Sequence, residues 1–249
     1  MSPFDHPIVS ARYFFPRPGA PEDWVEVAVD GAVLACSYRV VDPARPTMLH
    51  FHGNGEIVAD YVPALRGWFE ALGVNVFFAE YRGYGGSTGT PKLAAMLDDV
   101  TAIAEATGVA PERLVVFARS VGSIYGIELA SRLPVAGLVL ESGIADVLQR
   151  VSLRASAGEL GVDPATLLAE AKRLFDHQAK LQAYKGRLLV MHAKHDDLVG
   201  VEHAEQNHAW SGSEDKTLVV LPRGDHNSIM FANPEAYGEA LQGFLARVF

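Results

Sequence analysis

Leu114–Val115–Val116–Phe117–Ala118–Arg119–Ser120–Val121–Gly122–Ser123–Ile124 reads as a short apolar strand, one sharp turn and the first residues of a helix. Ser120 stands at the tip, in the pattern small–x–Ser–x–small over Ala118–Gly122. A strand that reverses into a helix within about four residues forces strained dihedrals on the middle residue, and small neighbours relieve the crowding. Such a turn lifts the Ser120 hydroxyl clear of the sheet edge. It also sets that hydroxyl at a helix N-terminus, where backbone N–H groups favour developing negative charge. Two readings fit the stretch alone: a serine nucleophile, or a serine that only caps a helix. The flanking sequence has to separate them.

Working outward, strands and helices alternate. Upstream, Thr47–His52 is a short apolar strand running into His52–Gly53–Asn54–Gly55–Glu56. Helical spacing follows from Tyr61 to Leu72, with Leu65, Trp68, Phe69 and Leu72 on one face; Pro63 either starts or kinks that helix and Gly73 ends it. Asn75–Glu80 is the next strand, leading into Tyr81–Arg82–Gly83–Tyr84–Gly85–Gly86–Ser87. Thr90 and Pro91 read as the cap and first residue of the following helix. Further upstream, Val25–Val29 and Val33–Val41 flank Asp30–Gly31, a hairpin signal. Downstream, a helix from Ser120 to Leu133 precedes a strand at Ala136–Glu141. A strand at Arg187–Ala193, a helix at Val201–Trp210, a strand at Thr217–Leu221 and a helix capped by Asn233–Pro234 close the chain.

The middle strands are apolar without alternation, which marks a parallel sheet covered on both faces. The expectation is an α/β fold: a mostly parallel eight-stranded sheet with helices on both sides, in one domain over 1–249. Ligands of such sheets bind beyond the carboxyl ends of the strands, where each Gly-rich loop named above falls. Residues 144–186 break the rhythm as a helical insert. Its apolar positions Leu148, Val151, Leu153, Leu167, Leu168, Leu174 and Phe175 suit either a small lid that meets an acyl chain or ordinary core packing.

Composition narrows the classes. The 249 residues carry a net charge of −9, which argues against nucleic acid or an anionic membrane as the main partner. Cys36 is the one cysteine, so no intrachain disulfide forms, and its β-like surroundings suit a buried thiol. No basic-then-apolar leader and no apolar run near the ~18 residues of a membrane span are present, so a cytoplasmic protein is expected. His192, His195, Asp196 and Asp197 cluster, but no second group at ligand spacing accompanies them, so neither metal nor cofactor is expected. Tyr81–Ser87 lacks the lysine of a phosphate cradle and reads as a turn under the pocket.

A serine hydroxyl needs a base within hydrogen-bond reach, and the base needs an orienting acceptor. Asp196 follows one later strand and His226 follows the next, so Ser120, Asp196 and His226 are placed to converge on one rim of the sheet. With His52–Glu56, Tyr81–Ser87, Ala118–Gly122, Asp196–Val199 and Gly224–His226 taken together, the chain resembles the α/β-hydrolase superfamily over nearly its whole length. It is most similar to single-domain serine hydrolases that combine a His-Gly-Asn-x-Glu loop, a Tyr-Arg-Gly-Tyr-Gly-x-Ser loop and an arginine before the nucleophile. That branch includes esterases and thioesterases.

The resemblance implies roles. Ser120 matches the nucleophile, His226 the general base and Asp196 the acid that fixes its tautomer, with Asp197 and Asp225 as rival acids. The backbone N–H groups of Val121 and Asn54 match the oxyanion donors. His52, Gly53, Glu56, Tyr81 and Arg119 match supporting or pocket positions; Arg119 points either to the site mouth or along the helix. Ala118 and Ala193 depart from the family's usual glycines. His192 reads as a strand-end hydrogen-bonder, and His203 and His208 as solvent-facing. The expected activity is hydrolysis of a small-molecule or acylated ester or thioester through an acyl-enzyme. Acyl transfer or peptide cleavage by the same triad, and a non-catalytic binding protein, are the alternatives.

Overall fold

The computed structural model describes residues 2–249. Eight strands form a single sheet: β1 (Trp24–Val29), β2 (Ala32–Arg39), β3 (Thr47–Phe51), β4 (Asn75–Ala79), β5 (Leu114–Arg119), β6 (Gly137–Glu141), β7 (Arg187–Ala193) and β8 (Lys216–Leu221). Their spatial order is β1-β2-β4-β3-β5-β6-β7-β8. β1, β2 and β4 pair antiparallel; every other pair is parallel. The strand that leads into Ser120, β5, is therefore central.

The helices are α1 (Pro7–Tyr13), α2 (Val58–Ala71), α3 (Met96–Ala106), α4 (Gly122–Arg132), α5 (Val147–Ser152), α6 (Pro164–Phe175), α7 (His177–Ala183), α8 (Val201–Trp210), α9 (Ile229–Ala232) and α10 (Pro234–Val248). The two faces of β5 sort the core. Val115 and Phe117 pack with Phe69 of α2 and Leu241 and Phe244 of α10. Leu114, Val116 and Ala118 pack on the opposite side with Val100 of α3, Ile127 of α4 and Leu181 of α7. A strand buried on both faces needs no polar alternation, which is why β5 reads as one apolar run.

Several boundaries differ from expectation, each for a local reason. α2 begins at Val58 and holds Pro63 in its interior. Ile57 offers no capping side chain; the Glu80 carboxylate accepts the Val58 N–H at 2.9 Å instead. α3 begins at Met96 and not at Pro91. The Asp5 carboxylate accepts the N–H groups of Ala94 and Ala95, so a distant residue fixes the helix entry. α4 starts at Gly122, because Ser120 holds φ at 51° and cannot continue a right-handed helix. Asn233 precedes α10 but makes no capping bond; its amide donates to the carbonyls of Arg223 and Ile229.

The insert between β6 and β7 carries α5, α6 and α7. The stripe of α6 joins the main core through Leu167, Ala171 and Phe175. The Phe175 ring meets Phe4 edge-on at 5.0 Å. Among the described residues, no helix is long and apolar enough to cross a membrane.

Candidate active site

β5 delivers Ser120 through a strained turn. Ser120 adopts φ 51°, a conformation that costs a non-glycine residue of order 1–3 kcal/mol and persists only when neighbours impose it. The Ser120 N–H donates to the Glu141 carbonyl at 2.9 Å, and the Ser123 hydroxyl donates to the Ser120 carbonyl at 2.6 Å. Gly122 lets α4 approach β3 closely: a Cβ there would collide with the Phe51 carbonyl. Gly126 faces the Ala118 methyl, and a Cβ at Gly126 would overlap it. The extra methyl of Ala118 is thus matched by a missing one on the facing helix.

The Ser120 hydroxyl lies 2.9 Å from His226 Nε2, and His226 Nδ1 lies 2.7 Å from Asp196 Oδ2. All three side chains are buried. A ring nitrogen facing a carboxylate donates, so Nδ1 carries the proton and Nε2 is left to accept from the hydroxyl. Burial opposes ionisation of Asp196, but hydrogen bonds from His192 and His226 and from the Val199 N–H outweigh it and hold the carboxyl far below its ordinary range. Asp196 Oδ1 accepts the N–H groups of Leu198 and Val199 at 3.0 and 2.8 Å. Asp197 is exposed, and Asp225 is bound to Ser228 and the Asn227 N–H, so neither rival reaches the imidazole. His192 Nε2 faces the Val199 carbonyl at 2.7 Å and lies 3.3 Å from Asp196, beside the acid as well as at the strand end.

Val121 begins the turn into α4, and Asn54 lies in the loop after β3. Both line the same cavity as Ser120 and His226. Among the described residues, neither backbone N–H donates to another protein group. The Asn54 side chain is engaged through both its oxygen and its nitrogen: it accepts from the Phe15 N–H and Tyr84 hydroxyl and donates to the Tyr13 carbonyl. The N-terminal segment thereby locks the loop that presents the Asn54 N–H.

Beneath that loop lies a buried ionic layer. His52 Nδ1 faces the Gly53 carbonyl and Nε2 faces Glu80, each at 2.7 Å. Neither partner can donate, so both nitrogens do, and His52 is an imidazolium. Burial alone would push it down; Glu80 and Glu56 overcome that and raise it. Tyr81 donates to the His52 carbonyl at 2.8 Å. Glu56 accepts from the Gly53 N–H and the Tyr61 hydroxyl. Burial opposes its ionisation, yet Arg119 holds it below the usual range. Arg119 pairs with Glu56 and Glu141, and donates to the His226 carbonyl at 2.6 Å. It runs neither free to the mouth nor along α4; it is clamped between the two loops.

The cavity at Ser120 has a volume of about 230 Å³, with Tyr13, Phe15, Leu198 and Val199 among its walls. Ile144, Arg150 and Arg154 are the parts of the insert region that line it. None of the seven leucine, valine and phenylalanine positions proposed as acyl contacts does so. His52, Gly53, Glu56 and Tyr81 do not line it either; they support the loop from behind.

A family model described as "Serine aminopeptidase, S33" matches residues 42–161. The chain is 27% identical over 260 residues to YfhR of Escherichia coli K12, covering 96% of this chain and 88% of that one. It is 29% identical over 217 residues to the α/β-hydrolase domain-containing protein aho-3 of Caenorhabditis elegans, covering 85% of this chain and 61% of that one. The esterase Pf2001 of Pyrococcus furiosus superimposes with a TM-score of 0.72 at 18% identity, over 94% and 98% of the two chains. The chain has the α/β-hydrolase fold and is similar in sequence to proteins named as α/β-hydrolases.

Within this α/β-hydrolase fold, some positions escaped the sequence reading. His203 is buried, and its Nδ1 accepts the Ala145 N–H at 3.1 Å; His208 is half-buried. Glu80 and Glu141 anchor the ionic layer, the latter also bound by the Tyr237 hydroxyl. A glutamate at the carboxyl end of a largely apolar strand was the visible signal for both. Arg150 and Arg154 gave none, because the insert has no fixed place in a strand-helix count. Among the described residues, no group of three or more His, Cys, Asp or Glu side chains is placed to hold a metal ion.

Proposed function

We propose that the chain is a serine hydrolase of carboxylic esters or thioesters that works through an acyl-enzyme on Ser120. The observation that carries this reading is the unbroken hydrogen-bond chain from Ser120 Oγ through His226 to Asp196. His226 Nε2 takes the hydroxyl proton as Oγ attacks the acyl carbonyl. The carbonyl electrons move to oxygen, and the resulting oxyanion is met by the N–H groups of Val121 and Asn54. Collapse expels the alcohol or thiol, which takes the proton from His226. Water then attacks the acyl-enzyme by the same route and releases the acid. We read residues 1–249 as one domain, with the insert forming part of the cavity wall.

Amide cleavage at a free N-terminus is the reading suggested by the matching family model's description. An aminopeptidase has to hold its substrate's ammonium group, and an acidic side chain is the fitting partner. The lining of this cavity includes arginines and no Asp or Glu, which favours the ester or thioester. The test is turnover of p-nitrophenyl acyl esters graded by chain length, beside an aminoacyl p-nitroanilide, with and without an added alcohol acceptor. Ester hydrolysis with no transfer product is the expected result. Anilide cleavage at comparable kcat/KM, or a dominant transfer product, overturns it.

A further inference from the structure

The molecule is acidic, with a net charge of −9. The cavity at Ser120 runs against that sign. Arg119, Arg150 and Arg154 line it, and no carboxylate side chain does. Arg119 is neutralised by Glu56 and Glu141. Arg150 and Arg154 are not. Among the described residues, no Asp or Glu oxygen comes within ion-pair distance of either guanidinium. The acids nearest in sequence are engaged elsewhere: Asp146 caps the N–H of Gln149, and Glu159 pairs with Arg12 at 2.8 Å.

The two side chains differ in setting: Arg154 is exposed, and Arg150 is more enclosed. Arg150 is half-buried on α5. The Arg154 guanidinium lies over the Phe15 ring, 5.9 Å from its centroid, and the Phe15 N–H is fastened to Asn54 of the loop after β3. Two forked donors without a protein acceptor, at the rim of a nucleophile's cavity, fit a carboxylate or a phosphate-like oxyanion on the substrate.

Resting on the hydrolase reading above, the geometry points to an anionic substrate: an ester or thioester whose acyl or leaving group carries a negative charge held by Arg150 and Arg154. The charge orients the substrate and takes no part in bond making.

Two matched pairs of substrates test this and report which side of the scissile bond carries the charge. On the acyl side, p-nitrophenyl butyrate is compared with p-nitrophenyl hemisuccinate. On the leaving-group side, the acetyl thioester of N-acetylcysteamine is compared with that of 2-mercaptoethanesulfonate. The expected result is a kcat/KM ratio of at least about tenfold in favour of the anion in one pair, as for a hydrogen bond to a charged group. The ratio falls to near parity in an R150Q/R154Q double variant and is partly kept in R150K/R154K. Added salt lowers it in the wild type.

Turnover of all four substrates with no anionic preference overturns the inference and leaves the hydrolase reading standing. A preference that survives unchanged in R150Q/R154Q overturns the assignment to these arginines. No turnover together with no fluorophosphonate label on Ser120 takes down the hydrolase reading, and this one with it.

Discussion

Arg119 donates through Nη2 to the main-chain carbonyl of His226 at 2.6 Å, so the residue before Ser120 holds the residue that bonds Ser120. The same guanidinium binds Glu56 of the loop after β3 and Glu141 at the end of β6. One side chain thus ties together three of the loops that meet at the site. Replacing it with methionine leaves the buried Glu141 and the partly exposed Glu56 without their cation, and stranding one buried charge typically costs about 3–5 kcal/mol. Arg119→Met is expected to lower Tm sharply and to reduce kcat by loosening the His226 loop. Arg119→Met/Glu141→Gln recovers part of the stability, as a thermal melt of both variants reads. Equal Tm values for wild type and Arg119→Met would remove the structural role.

Asp196 Oδ2 lies 2.7 Å from His226 Nδ1, the contact through which the proposed mechanism fixes the tautomer. In Asp196→Asn the amide stays within reach of the ring but presents a donor as readily as an acceptor. By analogy with the same change in serine proteases, kcat is expected to fall by roughly 10³–10⁴-fold at neutral pH. Asp197→Asn, at an exposed neighbour, is expected to stay within a few-fold of wild type. Steady-state kinetics on a p-nitrophenyl ester checks both; the reverse ranking would move the acid to Asp197.

Ala118 and Gly126 form a complementary pair across the strand-helix contact. Gly126→Ala forces a methyl against Ala118 and is expected to destabilise by about 1–3 kcal/mol. Ala118→Gly in the same chain relieves the overlap. A double-mutant cycle in urea measures the coupling, which is expected to be favourable; strict additivity would contradict the packing seen here.

Two histidines give stability opposite pH limbs. Burial pushes His177 down to about 3, and its Nδ1 donates to the Ile144 carbonyl at 2.9 Å. Between about pH 6.5 and 3 the unfolded chain binds a proton there that the folded chain refuses, so stability falls as pH drops. His52 has the other sign. Its raised affinity for a proton stabilises the fold below about pH 6.5, and that contribution is lost as pH rises through the folded value. Urea unfolding across pH is expected to show a shallower acid limb in His177→Gln, by up to about 1.4 kcal/mol per pH unit. An unchanged acid limb in that variant would assign it to other groups.

The sheet was legible because its middle strands are buried on both faces, and β3 and β4 run into Gly-rich loops. Ser120, Asp196 and His226 were legible because each lies just beyond the carboxyl end of a strand, β5, β7 and β8. What escaped was set by contacts between distant segments. Asp5 decides where α3 begins, and Asn233 binds the loop before α9 where a helix cap was expected. His203 sits on α8, whose residues show no clear apolar stripe, so its inward direction is fixed by the Ala145 N–H rather than by spacing. The insert's apolar positions allowed two readings, acyl contact and core packing; the lining of the Ser120 cavity includes none of the seven residues. An amphipathic stripe tells that a face is covered but not by what; on α6, Leu167, Ala171 and Phe175 pack into the main core, with Phe175 against Phe4, while Leu168 stays exposed.

The most direct test of the account is labelling with a fluorophosphonate, followed by peptide mass spectrometry of the wild type and of Ser120→Ala. The account predicts one adduct, on Ser120, formed rapidly in the wild type, slowed in His226→Ala and absent in Ser120→Ala, with ester turnover lost in parallel. An adduct that persists in Ser120→Ala, or ester turnover that survives the substitution, would contradict it.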